Sequence, residues 1–298
     1  MTNVFKQTVI NKLIELENLS GLSSARFAVK IGINQAQWSR LKKGEFDGVL
    51  SDSKFITLAR ENGVVMGSKM EWHTVETATF SYITSLLSTC QSQQISILLV
   101  DFADIGKTHT ARHYSRNNRN ALYIDCSQVK SKQLFIRELA RQTGTNHTGR
   151  YADVYLDLVY FLNTNENPLI ILDEAGDLKY DAFLELKALW NATEGNAAWF
   201  MMGADGLKSK ITRSINCQKV GYTEIFRRYG SKYRKITPDG REDLLHFKRE
   251  QAALIAKANA PAGSDIQQIV NSCRFDRNGD YSLTNLYNVI KVLNQQKG

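Results

Sequence analysis

Proline is nearly absent, three in 298 residues, which excludes stiff extended linkers and proline-rich recognition segments. Cysteine is sparse too. Cys90, Cys126, Cys217 and Cys273 lie far apart without a CxxC pair, which argues against a disulfide framework or a cysteine-based zinc site. No run approaches the roughly 20 consecutive apolar residues that a membrane span requires. The opening MTNVFKQTVINKL is polar and charged throughout and has no apolar signal core, so a cytoplasmic location and no membrane partner are expected. Acidic residues are in deficit, 30 against 38 Lys and Arg, and the resulting net charge of +8 favours a polyanionic partner. A hydrophobic fraction of 43% is ordinary for a globular protein, and the length suffices for two domains or three small ones.

The hydrophobic pattern changes twice along the chain. Residues 1–64 read as short helices, with Val9, Leu13 and Leu16 at helical spacing. Within SSARFAVKIGINQAQWSRLKKG, Phe27, Ala28 and Ile31 mark one helix, Gly32 a tight turn, and Trp38 and Leu41 the next helix. Asn34 and Gln37 have capping-box spacing, which places the start of that second helix at Asn34. Another helix over Lys54–Glu61 stops at Asn62-Gly63. Residues 65–70, VMGSKM, read as a hinge, and a helix is expected over Thr74–Thr89 with Val75, Thr79, Ile83 and Leu86 on one face. Beyond it, ISILLV (95–100), ALYI (121–124), LIIL (169–172) and AWFMM (198–202) are continuous apolar runs separated by helical segments. Buried parallel strands alternating with helices explain that pattern. A fifth strand is expected near Tyr233–Ile236, and helix resumes from Arg241.

The first apolar run leads into DFADIGKTHTARHY, where Gly106-Lys107-Thr108 opens a helix directly after a strand. That is where a phosphate-binding loop belongs. Amides at a helix N-terminus cradle phosphate, a lysine reaches the β and γ phosphates, and a hydroxyl binds Mg²⁺. Asp104, Ile105, Gly106, Lys107, Thr108 and His109 are the candidate nucleotide contacts. The loop departs from the usual spacing, because Asp101 stands where a glycine is expected five positions before Gly106. Two carboxylates, Asp101 and Asp104, are expected to weaken binding of a triphosphate. The run Pro168-Leu-Ile-Ile-Leu-Asp173-Glu174 supplies the complementary acids of a Walker B strand: Asp173, with Thr108, to hold Mg²⁺, and Glu174 to orient or deprotonate the attacking water. The AWFMM run ends at Gly203-Ala204-Asp205, where Asp205 is the nearest polar candidate to sense a γ-phosphate. Downstream, Arg227 or Arg228 could enter a neighbouring subunit's site as an arginine finger.

Other signals bear on nucleic acid. In a helix-turn-helix the second helix lies in the major groove, which makes Gln35, Gln37, Ser39 and Arg40 candidate base readers and Lys42 and Lys43 candidate phosphate contacts. Lys130 and Lys132, after the second strand, and Lys208, Lys210 and Arg213, after the fourth, offer a sequence-independent phosphate grip. Asp276-Arg-Asn278-Gly-Asp280-Tyr-Ser282 imitates half an EF-hand, but Tyr281 and Tyr287 stand where Gly and Glu are required, so calcium is rejected.

Taken in order, a repressor-like helix-turn-helix, GKT, KSKQLFIRELARQTG, LIILDEAGDL, a sensor strand, an arginine pair and C-terminal helices resemble the MuB-like AAA+ ATPases of DNA transposition. The resemblance covers nearly the whole chain at the level of motif order. It implies an α/β fold: an AAA+ P-loop core with a parallel sheet (71–240), preceded by an all-helical helix-turn-helix domain (1–64) and hinge (65–70), and followed by a small helical lid (241–298). It also implies ATP and Mg²⁺ as cofactors, double-stranded DNA as ligand, ATP-driven homo-oligomers in filaments or rings, a transposase partner, and weak hydrolysis given the departures at Asp101, Asp104 and Ala204. The lid lacks the arginine expected there unless Arg277 substitutes. A helicase loader or replication ATPase is the alternative within this fold. A transcriptional regulator whose loop only senses nucleotide is the alternative from another class.

Overall fold

A computed structural model describes residues 1–20, 23–64, 72–274 and 280–297. The hinge expected at 65–70, Arg277 and most of the rejected calcium-like segment lie outside the described residues. The chain divides into two compact units, Met1–Glu71 and Trp72–Gly298. The second unit contains the C-terminal helices together with the sheet.

The first unit holds four helices, α1 (Asn3–Ser20), α2 (Ser24–Lys30), α3 (Gln35–Lys42) and α4 (Asp52–Glu61). They close over Val9, Ile10, Leu13, Phe27, Trp38, Leu41, Phe55 and Leu58. Gly32, at φ 70°, turns the chain between α2 and α3, a conformation that strains residues with a Cβ. Asn34 and Gln37 form a reciprocal capping box: the Gln37 amide donates to Asn34 Oδ1 (2.8 Å) and the Asn34 amide to Gln37 Oε1 (3.1 Å).

The second unit is a three-layer α/β structure. Strands β1 (Ile97–Val100), β2 (Ala121–Asp125), β3 (Leu169–Asp173) and β4 (Ala198–Gly203) form one parallel sheet in the order β1-β4-β3-β2. Ile97 pairs with Phe200 and Ala121 with Leu169. β1, β3 and β4 are buried along their whole length, which is why their sequences are unbroken apolar runs and not alternating ones. Alternate residues still serve opposite faces. Ile97, Leu99, Phe200 and Met202 pack under α5 (Ala78–Gln93) and α6 (Lys107–Asn117). Leu98, Val100, Ile170, Leu172 and Met201 face α7 (Lys132–Thr143), α8 (Tyr151–Thr164), α9 (Tyr180–Ala192), α10 (Asp205–Asn216) and α11 (Tyr222–Arg228). Parallel strands bring every carboxyl end to one edge, where ligands of open α/β sheets bind.

Two expectations are displaced. Helix α5 starts at Ala78, because the Thr77 side chain caps it by accepting from the Phe80 amide (3.2 Å); the residues before it are not helical. The fifth strand shrinks to one parallel bridge, in which Arg234 donates to the Leu98 carbonyl (2.8 Å) and accepts from the Val100 amide (2.9 Å). Pairing stops there because the next amides, Ile236 and Thr237, donate to the Asp101 carboxylate instead. The chain then continues through α12 (Arg241–Asn259), α13 (Ile266–Ser272) and α14 (Leu283–Lys297).

Candidate nucleotide site

The loop from Asp101 to Gly106 leaves β1 and turns into α6. Gly106 sits at φ 96°, with no heavy atom within 4 Å of where a Cβ would stand, so backbone conformation and not space calls for glycine. None of the seven amides from Ala103 to His109 donates to a protein group among the described residues. An unbroken row of free donors at a helix N-terminus is an anion cradle, because the helix dipole adds to the N–H groups. His109 adds an exposed side chain 3.1 Å from the Thr74 hydroxyl, its pKa lowered by desolvation and then by His113 and Arg116.

The structure brings Lys107, Thr108, Asp173 and Glu174 together beside that row. Lys107 is 6% exposed, and its ammonium donates to the carbonyls of Asp101 (3.0 Å) and Phe102. Burial lowers its pKa, opposed by the charges of Asp101, Glu174, Asp173 and Asp205. The Thr108 hydroxyl donates to Asp173 Oδ2 (2.7 Å) across the gap between α6 and β3. Tyr123 donates to the same oxygen (2.7 Å), while the Glu174 amide donates to Oδ1 (2.9 Å). Glu174 itself adopts φ 48°. Burial raises its pKa first and the Asp173 charge raises it further, against the pull of Lys107. Tyr123 went unnoticed in the sequence; its signal was a lone tyrosine in the apolar run ALYI.

The two carboxylates that were expected to weaken phosphate binding have other occupations. Asp101 is 2% exposed and accepts from the amides of Phe102 (2.8 Å), Ile236 (2.7 Å) and Thr237 (2.9 Å) and from the Thr237 hydroxyl. Asp104, at φ 59°, accepts from the hydroxyl of Ser282 (2.6 Å) and from the amide (3.1 Å) and hydroxyl (2.8 Å) of Thr284, at the start of α14. Phe102 lies 5.4 Å from both Lys235 and Lys248 Nζ, and Lys248 in turn pairs with Asp280 (2.7 Å).

Other candidates are scattered. Ile105 is buried at 1% exposure, so only its backbone can meet a ligand. Asp205 is exposed in the first turn of α10, close enough to act on Lys107, and Ala204 offers no polar side chain. Arg227 points to solvent, whereas Arg228 lies 5.6 Å over the Trp190 ring and lines a 560 Å³ cavity at the opposite end of β1. Lys130 pairs with Asp177 (2.7 Å) and Lys132 with Glu185 (2.9 Å). Lys208 sits over Tyr233, Lys210 donates to the carbonyls of Gly176 and Leu178, and Arg213 lines a shallow groove along α10. Gln35 and Ser39 on α3, and Lys43 at its C-cap, are exposed. Gln37 is spent on the capping box and the Val49 carbonyl (3.1 Å), Arg40 on Glu45 (2.8 Å), and Lys42 on Glu17 (3.2 Å) and Ser24 (2.7 Å).

A parallel sheet with this loop, the acids of β3 and a helical C-terminal extension defines a P-loop fold of the AAA+ class, and residues 77–211 match the family described as AAA domain. More particularly, the chain is similar to the Mu-like prophage FluMu DNA transposition protein B of Haemophilus influenzae, 22% identical over 213 residues, which cover 70% of this chain and 74% of that protein. The resemblance to MuB-like proteins that the motif order implied is therefore found by direct comparison. Among solved structures, the Aeropyrum pernix Orc1 protein in complex with DNA aligns with a TM-score of 0.37 and 11% identity, over 76% of this chain and 85% of that one. No helix among the described residues is long and apolar enough to cross a membrane.

Proposed function

We propose that this chain is an ATPase of DNA transposition that binds double-stranded DNA in its nucleotide-bound, self-assembled state. The observation that carries the reading is the row of seven undonated amides ending on α6, with Lys107 and the Thr108–Asp173 pair beside it. The amides take the β and γ phosphates, and Lys107 exchanges its two carbonyl acceptors for phosphate oxygen. The hydroxyl of Thr108 and the carboxylate of Asp173, already 2.7 Å apart, are hard oxygen donors that suit Mg²⁺, Asp173 acting through water. Bound there, Mg²⁺ would neutralise charge on the phosphate oxygens. Tyr123 orients the Asp173 carboxylate. Glu174 accepts the proton of the water that attacks the γ-phosphorus, and ADP departs with the electrons of the broken P–O bond.

Arg227, exposed at the end of α11, is the residue we assign to a neighbouring copy's site; Arg228 is turned inward. The first unit serves as a helix-turn-helix module, with Gln35 and Ser39 on α3 and Lys43 at its C-cap available, and the other candidates reaching DNA only by giving up a partner. Lys130 and Lys132 carry the same condition. Similarity to a transposition protein B supports the transposition setting, with a transposase as partner.

The test is Lys107→Ala, assayed by retention of labelled duplex on a filter with and without ATP. Wild type should retain DNA only with ATP, and the variant should not retain it in either case. Equal ATP-dependent retention by the two proteins would refute the coupling of nucleotide to DNA.

A further inference from the structure

The P-loop of this chain carries a carboxylate that serves the far end of the sequence. Asp104 is the second residue of the row of free amides, yet its side chain leaves the cradle and caps α14, 178 and 180 residues away. Its φ of 59° is a conformation that residues with a Cβ avoid, and such outliers persist where surrounding bonds over-determine them. Ser282, 8% exposed, is the hinge of the contact. Its hydroxyl donates to Asp104 Oδ2 (2.6 Å) and accepts from the Asn285 amide (3.1 Å), so one atom joins loop and helix start. A negative charge at that helix end is electrostatically favourable as well.

We propose that Asp104 is a positioning residue that latches helix α14 to the phosphate loop and passes the state of the nucleotide site to the C-terminal helices. The proposal rests on the nucleotide reading above. The direction follows from charge. Phosphate bound on the amides of Ile105 and Gly106 repels the neighbouring carboxylate, which disfavours any inward orientation and tightens its hold on Ser282 and Thr284. Nucleotide should therefore make the first turn of α14 more ordered. Two further ties leave Asp104 as the adjustable one: Asp101 fixes residues 236–237 from its buried position, and Phe102 packs under Lys248 of α12.

Hydrogen exchange at the first turn of α14, with and without MgATP, reads the latch directly, because the Thr284 amide donates to Asp104. Nucleotide affinity is followed in parallel with a fluorescent ATP analogue. Wild type should exchange more slowly at Thr284 when nucleotide is bound. Asp104→Gly suits the positive φ and removes only the carboxylate; it should speed exchange there about tenfold to a hundredfold, as loss of charge-assisted hydrogen bonds does, and abolish the response to nucleotide. The double variant Ser282→Ala, Thr284→Ala removes the two hydroxyl donors and leaves the amide of residue 284 on Asp104, so it should speed exchange there by a smaller factor, with nucleotide affinity unchanged. Asp104→Asn, which keeps one acceptor oxygen and tolerates the same φ, should restore part of it. Combining Asp104→Gly with the lid-side pair should add nothing further. Wild-type exchange at Thr284 in Asp104→Gly, or effects of the two sides that multiply, would overturn the latch. Failure of wild type to bind the analogue would instead sink the nucleotide reading, and with it the transmission, while exchange in the ligand-free variants would still decide whether the latch exists.

Discussion

Restoring the glycine that P-loops usually carry five positions before Gly106 should harm this protein. In Asp101→Gly, the amides of Ile236 and Thr237 and the Thr237 hydroxyl lose their acceptor, and all three face a side chain that is 2% exposed. A buried donor left unpaired costs about 1–3 kcal/mol. Water entering the space that the side chain leaves would satisfy some of these donors, and the desolvation cost of the buried carboxylate disappears with it. The net loss should thus be nearer about 3 kcal/mol than the sum of three full penalties. Lys107 also loses the negative charge that does most to offset its burial. For a domain of this size about 3 kcal/mol corresponds to a fall in Tm of about 6–12 °C. Thermal unfolding of the nucleotide-free protein, followed by circular dichroism, measures it. A Tm equal to or above that of wild type would refute the argument, and would mean that the segment after Arg234 holds its place without Asp101.

Glu174→Gln should slow hydrolysis about 10²–10⁴-fold while leaving MgATP binding intact, since an amide cannot accept the proton of water. Because burial and Asp173 raise the pKa of Glu174, hydrolysis requiring its carboxylate is complete above that raised pKa and fades as pH falls through it. The acid limb of kcat/KM against pH should accordingly lie above the ordinary glutamate range; a limb at the ordinary value, or one that survives in the glutamine variant, would assign the base elsewhere. Arg227→Ala should cut kcat about 10³-fold with nucleotide binding retained. Arg228→Ala should leave kcat alone and lower Tm through lost packing on Trp190, and the reverse outcome in a steady-state assay would exchange their roles.

The sheet could be read from the sequence because β1, β3 and β4 are buried on both faces, which leaves unbroken apolar runs as their trace. Lys107, Thr108, Asp173 and Glu174 could be read because each stands at a strand end or helix start, where local order fixes its placement. What escaped depends on partners remote in sequence. Asp101 and Asp104 look like obstacles to phosphate until their acceptors' partners, 135 to 180 residues downstream, are known. The fifth strand was lost for the same reason, since Asp101 takes the amides that would have extended it. Lys130 and Lys132 look free in sequence, and only the fold shows Asp177 and Glu185 across from them. Gln37 carries both a legible role, the cap, and an illegible one, its bond to the Val49 carbonyl.

The strand order also sets a timetable for the chain as it is synthesised. The helices of the first unit meet through contacts near in sequence, so that unit can close early. Strand β1 follows, but its neighbour in the sheet is β4, and Ile97 waits for Phe200, roughly a hundred residues later, or about 5–20 s of translation. During that interval Leu98, Leu99 and Val100 are an apolar strand with no pairing partner, the kind of segment that chaperones cover and that aggregates when they do not. The phosphate loop hangs from this strand, and the acceptors on Asp104 gain their donors only once residues 282–284 have been made. The phosphate loop therefore reaches its final arrangement late, after the helical unit ahead of it has been made.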